Sequence, residues 1–403
     1  MSRVSNTWES RPLMGEEVES KGAWVVRSVK LGEESLPSDD RRGLWLQLRR
    51  PRASRLLIGV LAAVATLTGV GIMAVIFMPG HSIISSGTQR CNNPMIRREW
   101  RQLSRYEQQA YLSAVQCLER RPSTLGPSHT ENSSHYDDFV LAHGLAGDVA
   151  HFAAAFLPWH RMFVHVYEAK LRSECGYQGA QPYWDWTLDS ANLSAAPVWD
   201  TVNGFGGDGG AGLPNTPRII HGRCVVDGPF AGATRAWRVD SQGDKRRTVR
   251  DVHCLSRGFA SADNDVDPAM LERMHSYVSP AHVEETLAQT DFEGFLRAFE
   301  NGAHNAIPQF VRGDWMTFSA PNDPVFFLHH TQVDRLWWMW QMRDPDTRFR
   351  EYHGPTEDFR HHHQRRSAAG AIDLDVLPMG GLVSDGRVRE YLDTRQGSLC
   401  YIY

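Results

Sequence analysis

Residues 1–55 mix polar and charged positions with no apolar period, the pattern of a disordered tail. Leu56 to Met78 (LLIGVLAAVATLTGVGIMAVIFM) is then uncharged and apolar all round. It lacks the polar face of a helix that packs on a domain, and it is long enough to span a bilayer core. Residues 79–90 read as a short stem. From Cys91 the period becomes helical: in CNNPMIRREWRQLSRYEQQAYLSAVQCLERRPS, Leu103, Tyr106, Ala110, Tyr111, Ala114 and Cys117 recur at helical spacing, with Ser104 as N-cap. Tyr136–His143 and Phe152–Arg172 are further helical segments, and Pro158 suits the first turn of the second. Residues 200–260 lose the period. GFGGDGGAG (204–212) and SQGDKRRTVRD (241–251) predict a long irregular surface excursion, and no strand-to-helix context makes those glycines a phosphate cradle. Helical spacing returns over Pro268–Phe299 and Val325–Met342. The expectation is a mainly α domain with long loops over residues 91–403, preceded by one transmembrane helix.

Charge around the apolar span sets its direction. Arg41, Arg42, Arg49, Arg50, Arg52 and Arg55 precede it with no acidic residue among them, whereas Arg90 is the only base between it and Arg97. The positive-inside rule then puts residues 1–55 in the cytosol and the globular domain on the lumenal or extracellular side. A cleaved leader does not fit, because the polar stretch before the span is too long for an n-region. All six cysteines (Cys91, Cys117, Cys175, Cys224, Cys254 and Cys400) follow the span, which suits disulfides on an oxidising side; six cysteines allow 15 pairings. Two glycosylation sequons, at Asn132 and Asn192, fall on the same side.

With 403 residues, of which 41% are hydrophobic, the chain has material for one large core or two smaller ones. Thirteen tryptophans, clustered in WDW (184–186) and WWMW (337–340), predict a core packed around aromatic rings. A formal charge of -4 gives no broad electrostatic case for nucleic acid as a partner.

Histidines supply the candidate chemistry. His143, His151 and His160 are separated by intervals that no single helix face provides, so they must converge from a helix end, a loop and the following helix. Far downstream, NDPVFFLHHTQVDRLWWMWQ holds His329 and His330 in an aromatic setting. Imidazole is neutral near pH 7 and a good ligand for a redox-active metal such as copper. A lone buried histidine is more often structural, and spacing by itself does not separate the two readings. The run His361, His362 and His363 lies in a charged stretch and reads as exposed.

The wording around these histidines is more specific. YDDFVLAHG, HFAAAFLPWHRMFVHVYE, PYWDW and SAPNDPVFFLHHTQVDRLWWMWQ, in that order, resemble the tyrosinase family of type-3 copper proteins. The resemblance runs from about Cys91 to the closing CYIY, which looks like the tyrosine motif that ends the family's core domain. The pattern is most similar to fungal tyrosinase-like proteins of secondary-metabolite pathways, some acting on tyrosine-containing peptides. It implies a four-helix bundle enclosing two coppers. It implies that His143, His151 and His160 hold the first copper, and that His304 and His330 serve the second. It further implies that Asn305 orients a phenol-activating water with Glu300 as its acidic partner, and that Phe326 screens the copper as a substrate gate. Dioxygen and a phenolic or tyrosine-containing peptide substrate follow from the same resemblance. Val149 stands where some members carry a cross-linked cysteine.

One departure bears on the chemistry. Where the family's second-copper helix reads His-Asn-x-x-His, this chain has HNAIPQFVRGDWM, with Pro308 in place of the second histidine and Arg312 in place of a glycine. Proline supplies no ligand, and within a helix it costs about 3 kcal/mol unless the helix starts there. Three outcomes follow: His329, His275 or His282 substitutes; the second copper binds weakly through His304 and His330; or the chain is a copper-binding or structural relative without catalysis. The leading expectation is a membrane-anchored copper oxidoreductase acting on a phenol or catechol.

Overall fold

A computed structural model describes residues 90–125, 133–210, 221–242, 245–264, 266–358 and 370–403. The tail 1–55, the apolar span 56–78, nearly all of the stem, Asn132 and the run 361–363 lie outside the described residues. Among the described residues no helix is long and apolar enough to cross a membrane.

The expected helix from Cys91 starts later. Pro94 disfavours helical backbone at the residue before it, and the chain first forms strand β1 (Met95–Ile96) and a 3₁₀ turn at Trp100–Gln102. Helix α1 (Arg105–Arg120) begins where Ser104 and Glu107 close a reciprocal capping box. It buries Tyr111, Leu112, Ala114, Val115 and Leu118, while Tyr106 is 84% exposed and lies off that face. Helix α2 (His135–Ala150) starts with the same device, Ser134 with Asp137. Helix α3 (Phe156–Cys175) carries Pro158 in its first turn and ends on Gly176, whose φ of 68° is the left-handed conformation that glycine adopts freely.

Residues 200–260 depart from expectation, because they contain an antiparallel hairpin, β2 (Thr234–Gln242) with β3 (Lys245–Cys254). The strands read as polar, yet two of their arginines are buried in ion pairs: Arg235 with Glu119 at 2.8 Å and Arg238 with Asp251 at 2.8 Å. The hairpin lies against α2. Gly144 permits this approach, since a Cβ there would meet Thr248 Oγ1 at 2.5 Å.

The chain continues through α4 (Pro268–Tyr277), α5 (Pro280–Leu287), α6 (Phe292–Phe299), the short α7 (Asn305–Val311) and α8 (Val325–Met342). Helices α1, α2, α3 and α8 pack together. Their shared core is aromatic: Tyr167 stacks on Phe327 at 3.5 Å, and Phe139 meets Tyr167 edge-on at 5.3 Å.

Both ends of the domain meet on α8. Strand β4 (Tyr401–Ile402) runs parallel to β1, and Cys91 is bonded to Cys400. The other disulfides join Cys117 to Cys175 and Cys224 to Cys254. Beneath the strands, the buried Asp334 carboxylate accepts from Arg97, Arg161, Tyr401 and Tyr403. Burial alone would raise its pKa, and the guanidiniums of Arg161 and Arg97 outweigh that and hold it below the usual carboxylate range.

Candidate metal centre

His143 projects from α2, His151 caps the C-terminal end of that helix, and His160 sits in the second turn of α3. The donor atoms of these three buried residues lie within 4.8 Å of one another. Each ring donates its Nδ1–H to a backbone carbonyl: His143 to Phe318 at 2.7 Å, His151 to Gly147 at 3.0 Å and His160 to Phe156 at 2.9 Å. Because a carbonyl only accepts, the tautomer is set and every Nε2 presents a lone pair. His143 Nε2 and His160 Nε2 are 3.4 Å apart. Two lone pairs face each other across that gap, a repulsive arrangement that a cation between them relieves. A proton does not serve near neutral pH, since burial pushes His143 down to about 4 and His160 well below its ordinary value. A metal fits this donor set.

The chain between the second and third histidines is bent for the purpose. Phe152 has φ 55°, outside the usual range for a bulky residue, and its N–H is held by Glu300 Oε1 at 2.7 Å. This contact ties His151 to the element that carries His304.

That element is a π-helical turn, Glu300–His304, with non-helical backbone at Gly302 (φ -98°, ψ -105°), running straight into α7. Such turns re-aim side chains and recur at functional sites. Pro308 is tolerated because α7 starts after His304. The only intrahelical bond it removes is the first, to the His304 carbonyl. His304, His329 and His330 form a second buried trio whose donor atoms also lie within 4.8 Å of one another. Asn305 Oδ1 accepts from His304 Nδ1 at 3.1 Å, and burial pushes His304 down to about 3.

The two trios face each other. The His160 ring stacks on His330 at 4.1 Å, and a cavity of about 340 Å³ reaches both groups. Phe326 is packed between His330 (4.3 Å) and His143 (5.0 Å). Phe318 stacks on the outer ring, His151, at 4.3 Å. Arg246 of β3 lies over Phe318 at 4.7 Å and pairs with Asp148 of α2, which fastens the hairpin at the cavity rim.

Residues 133–343 match the common central domain of tyrosinase. The chain belongs to the tyrosinase family. It is 46% identical over 392 residues to the tyrosinase-like protein phomQ1 of Diaporthe leptostromiformis, covering 94% of this chain and 98% of that one. It is 39% identical over 344 residues to the tyrosinase ustQ of Aspergillus flavus, covering 84% and 88% of the two chains. Among solved structures it resembles that of a polyphenol oxidase mutant from Thermothelomyces thermophila, with a TM-score of 0.63 and 28% identity, covering 77% of this chain and 88% of that one.

Tyrosinases are type-3 copper proteins, and the two facing histidine trios suit a metal pair. Of the substitutes weighed for position 308, His329 is in the second trio. His275, whose Nδ1–H donates to the Ser190 carbonyl at 2.6 Å, and His282 are in neither. Phe318 is the site residue that sequence reasoning passes over. It falls in a 3₁₀-rich turn with no apolar period to mark it, and only its stacking on His151 reveals it.

Proposed function

We propose that this tyrosinase-family protein oxidises a phenol or catechol at a pair of coppers. The supporting observation is the face-to-face contact of the two trios through His160 and His330. His143, His151 and His160 would hold one copper, and His304 and His330 would take two positions on the other. When bound, the copper pair supplies dioxygen activation and the two-electron oxidation of the substrate.

The protein's part is positioning and exclusion of water. Backbone carbonyls lock the first three imidazoles as Nε2 donors, and Asn305 does the same for His304. That hydrogen bond leaves the Asn305 amide NH₂ for the water that would take the phenol proton, with Glu300 holding the turn. Phe326 and Phe318 shape the approach, and their rings, with Phe156, keep bulk water from the histidines. The cavity suits a single phenolic ring, either a small phenol or a tyrosine side chain of a peptide in a secondary-metabolite pathway. In this reading residues 56–78 anchor the protein with residues 1–55 in the cytosol and the copper domain outside it. Asn192, exposed at the start of a 3₁₀ turn, would then be open to glycosylation.

Metal analysis of the full chain with oxygen uptake tests the proposal. Two coppers per chain and uptake driven by a catechol or monophenol are expected, with copper lost from the first site in His160→Ala. A copper-loaded protein that takes up no oxygen with any phenol would leave the non-catalytic reading in its place.

A further inference from the structure

We infer that the second copper's third ligand has moved from position 308 to His329, so that two adjacent residues of α8 and His304 form the site. This rests on the copper-pair reading above and names a ligand set different from the His-x-x-x-His helix expected there.

Three observations carry it. First, His329 has no solvent exposure, and neither ring nitrogen has a hydrogen-bond partner. A neutral imidazole has one donor and one acceptor, and leaving both unmet in the interior is unfavourable. The contrast is His253, also buried, which spends Nδ1 on the Asp251 carbonyl at 2.6 Å and Nε2 on Asp314 at 2.9 Å. His253 is a satisfied structural histidine, whereas His329 has the surroundings of a ligand.

Second, the geometry permits two consecutive ligands. Neighbours on an α-helix point roughly 100° apart, so their rings meet only at a point lying between the two directions. The His329 and His330 rings stand 5.0 Å apart with planes at 80°, and a donor nitrogen of each lies within 4.8 Å of the other. His304 closes the third side, 5.3 Å from His329 and 5.2 Å from His330. The four-residue spacing of an ordinary pair is unnecessary when the third donor comes from another element.

Third, position 308 faces the same cavity. Pro308 lies one turn after His304 and lines the pocket together with His329 and His330. An imidazole and a proline therefore compete for one wall of the site. With Pro308 there, that wall carries no donor, and the space beside the second copper is bounded by an apolar ring.

The test is copper per chain, with near-ultraviolet circular dichroism to establish folding. Wild-type protein is expected to hold two coppers and His329→Ala one. His329→Ala combined with Pro308→His is expected to regain two, because the double variant restores a donor four residues after His304. A folded His329→Ala that keeps two coppers overturns the ligand assignment and leaves the copper-pair reading standing. Wild-type protein that binds fewer than two overturns both. Should His329→Ala not fold, His329→Gln, which keeps the volume, answers the same question: two coppers overturn the assignment and one supports it.

Discussion

At the level of single residues, the site is made of imidazoles that the fold keeps neutral. His143 is pushed down to about 4 and His304 to about 3, with burial the leading cause in each. Between those values and the ordinary histidine value the unfolded chain binds more protons than the folded one, so stability rises with pH across this window and falls on acidification. Each such group contributes about 1.4 kcal/mol per pH unit. The urea midpoint of the copper-free protein should therefore drop between pH 7 and pH 5. A midpoint that stays constant would mean the rings are more hydrated than their burial indicates. His143, His151 and His160 are legible from the motifs around them. Their common centre is not, because intervals of eight and nine residues place side chains only once the chain has turned at Phe152.

Elements show where local chemistry decides and where packing overrides it. Ser104 as the start of α1 follows from the capping box, a device that acts within one turn and needs no tertiary partner. Ser104→Ala should cost about 1 kcal/mol in thermal or denaturant unfolding, with copper content unchanged; a loss of copper would show that α1 also sets the site. The apolar run Val325–Met342 is a helix with the expected ends. The hairpin escapes a sequence reading for the opposite reason. Its arginines count as polar in a sequence window, yet Arg235 and Arg238 are buried because Glu119 and Asp251 come to meet them. The π turn before α7 is equally hidden. Nothing in ENGAH distinguishes it from an ordinary helical turn, and it exists because Glu300 must reach Phe152 while His304 faces the cavity.

Across the domain as a whole, closure falls to Asp334. Arg97 comes from the start of the domain, Arg161 from α3 beside His160, and Tyr401 and Tyr403 from the chain's last three residues, and all donate to one buried carboxylate. The Cys91–Cys400 bond spans a sequence separation of 309 at the same seam. Asp334→Ala would leave Arg97 and Arg161 buried without their counter-charge, and a loss of about 3–5 kcal/mol is expected in denaturant unfolding. A loss near that of a surface ion pair would show that water enters the seam.

The helical domain, the histidine motifs and the tyrosine-rich ending can all be read from the chain alone, because each is written in contiguous residues whose period or wording is local. The chain also poses the problem of Pro308 without solving it. The pairing of the six cysteines, the hairpin and the place of His329 in the second trio emerge only on folding. Those depend on which distant segments meet, and a buried ring nitrogen without a partner becomes visible only when everything around it is in place.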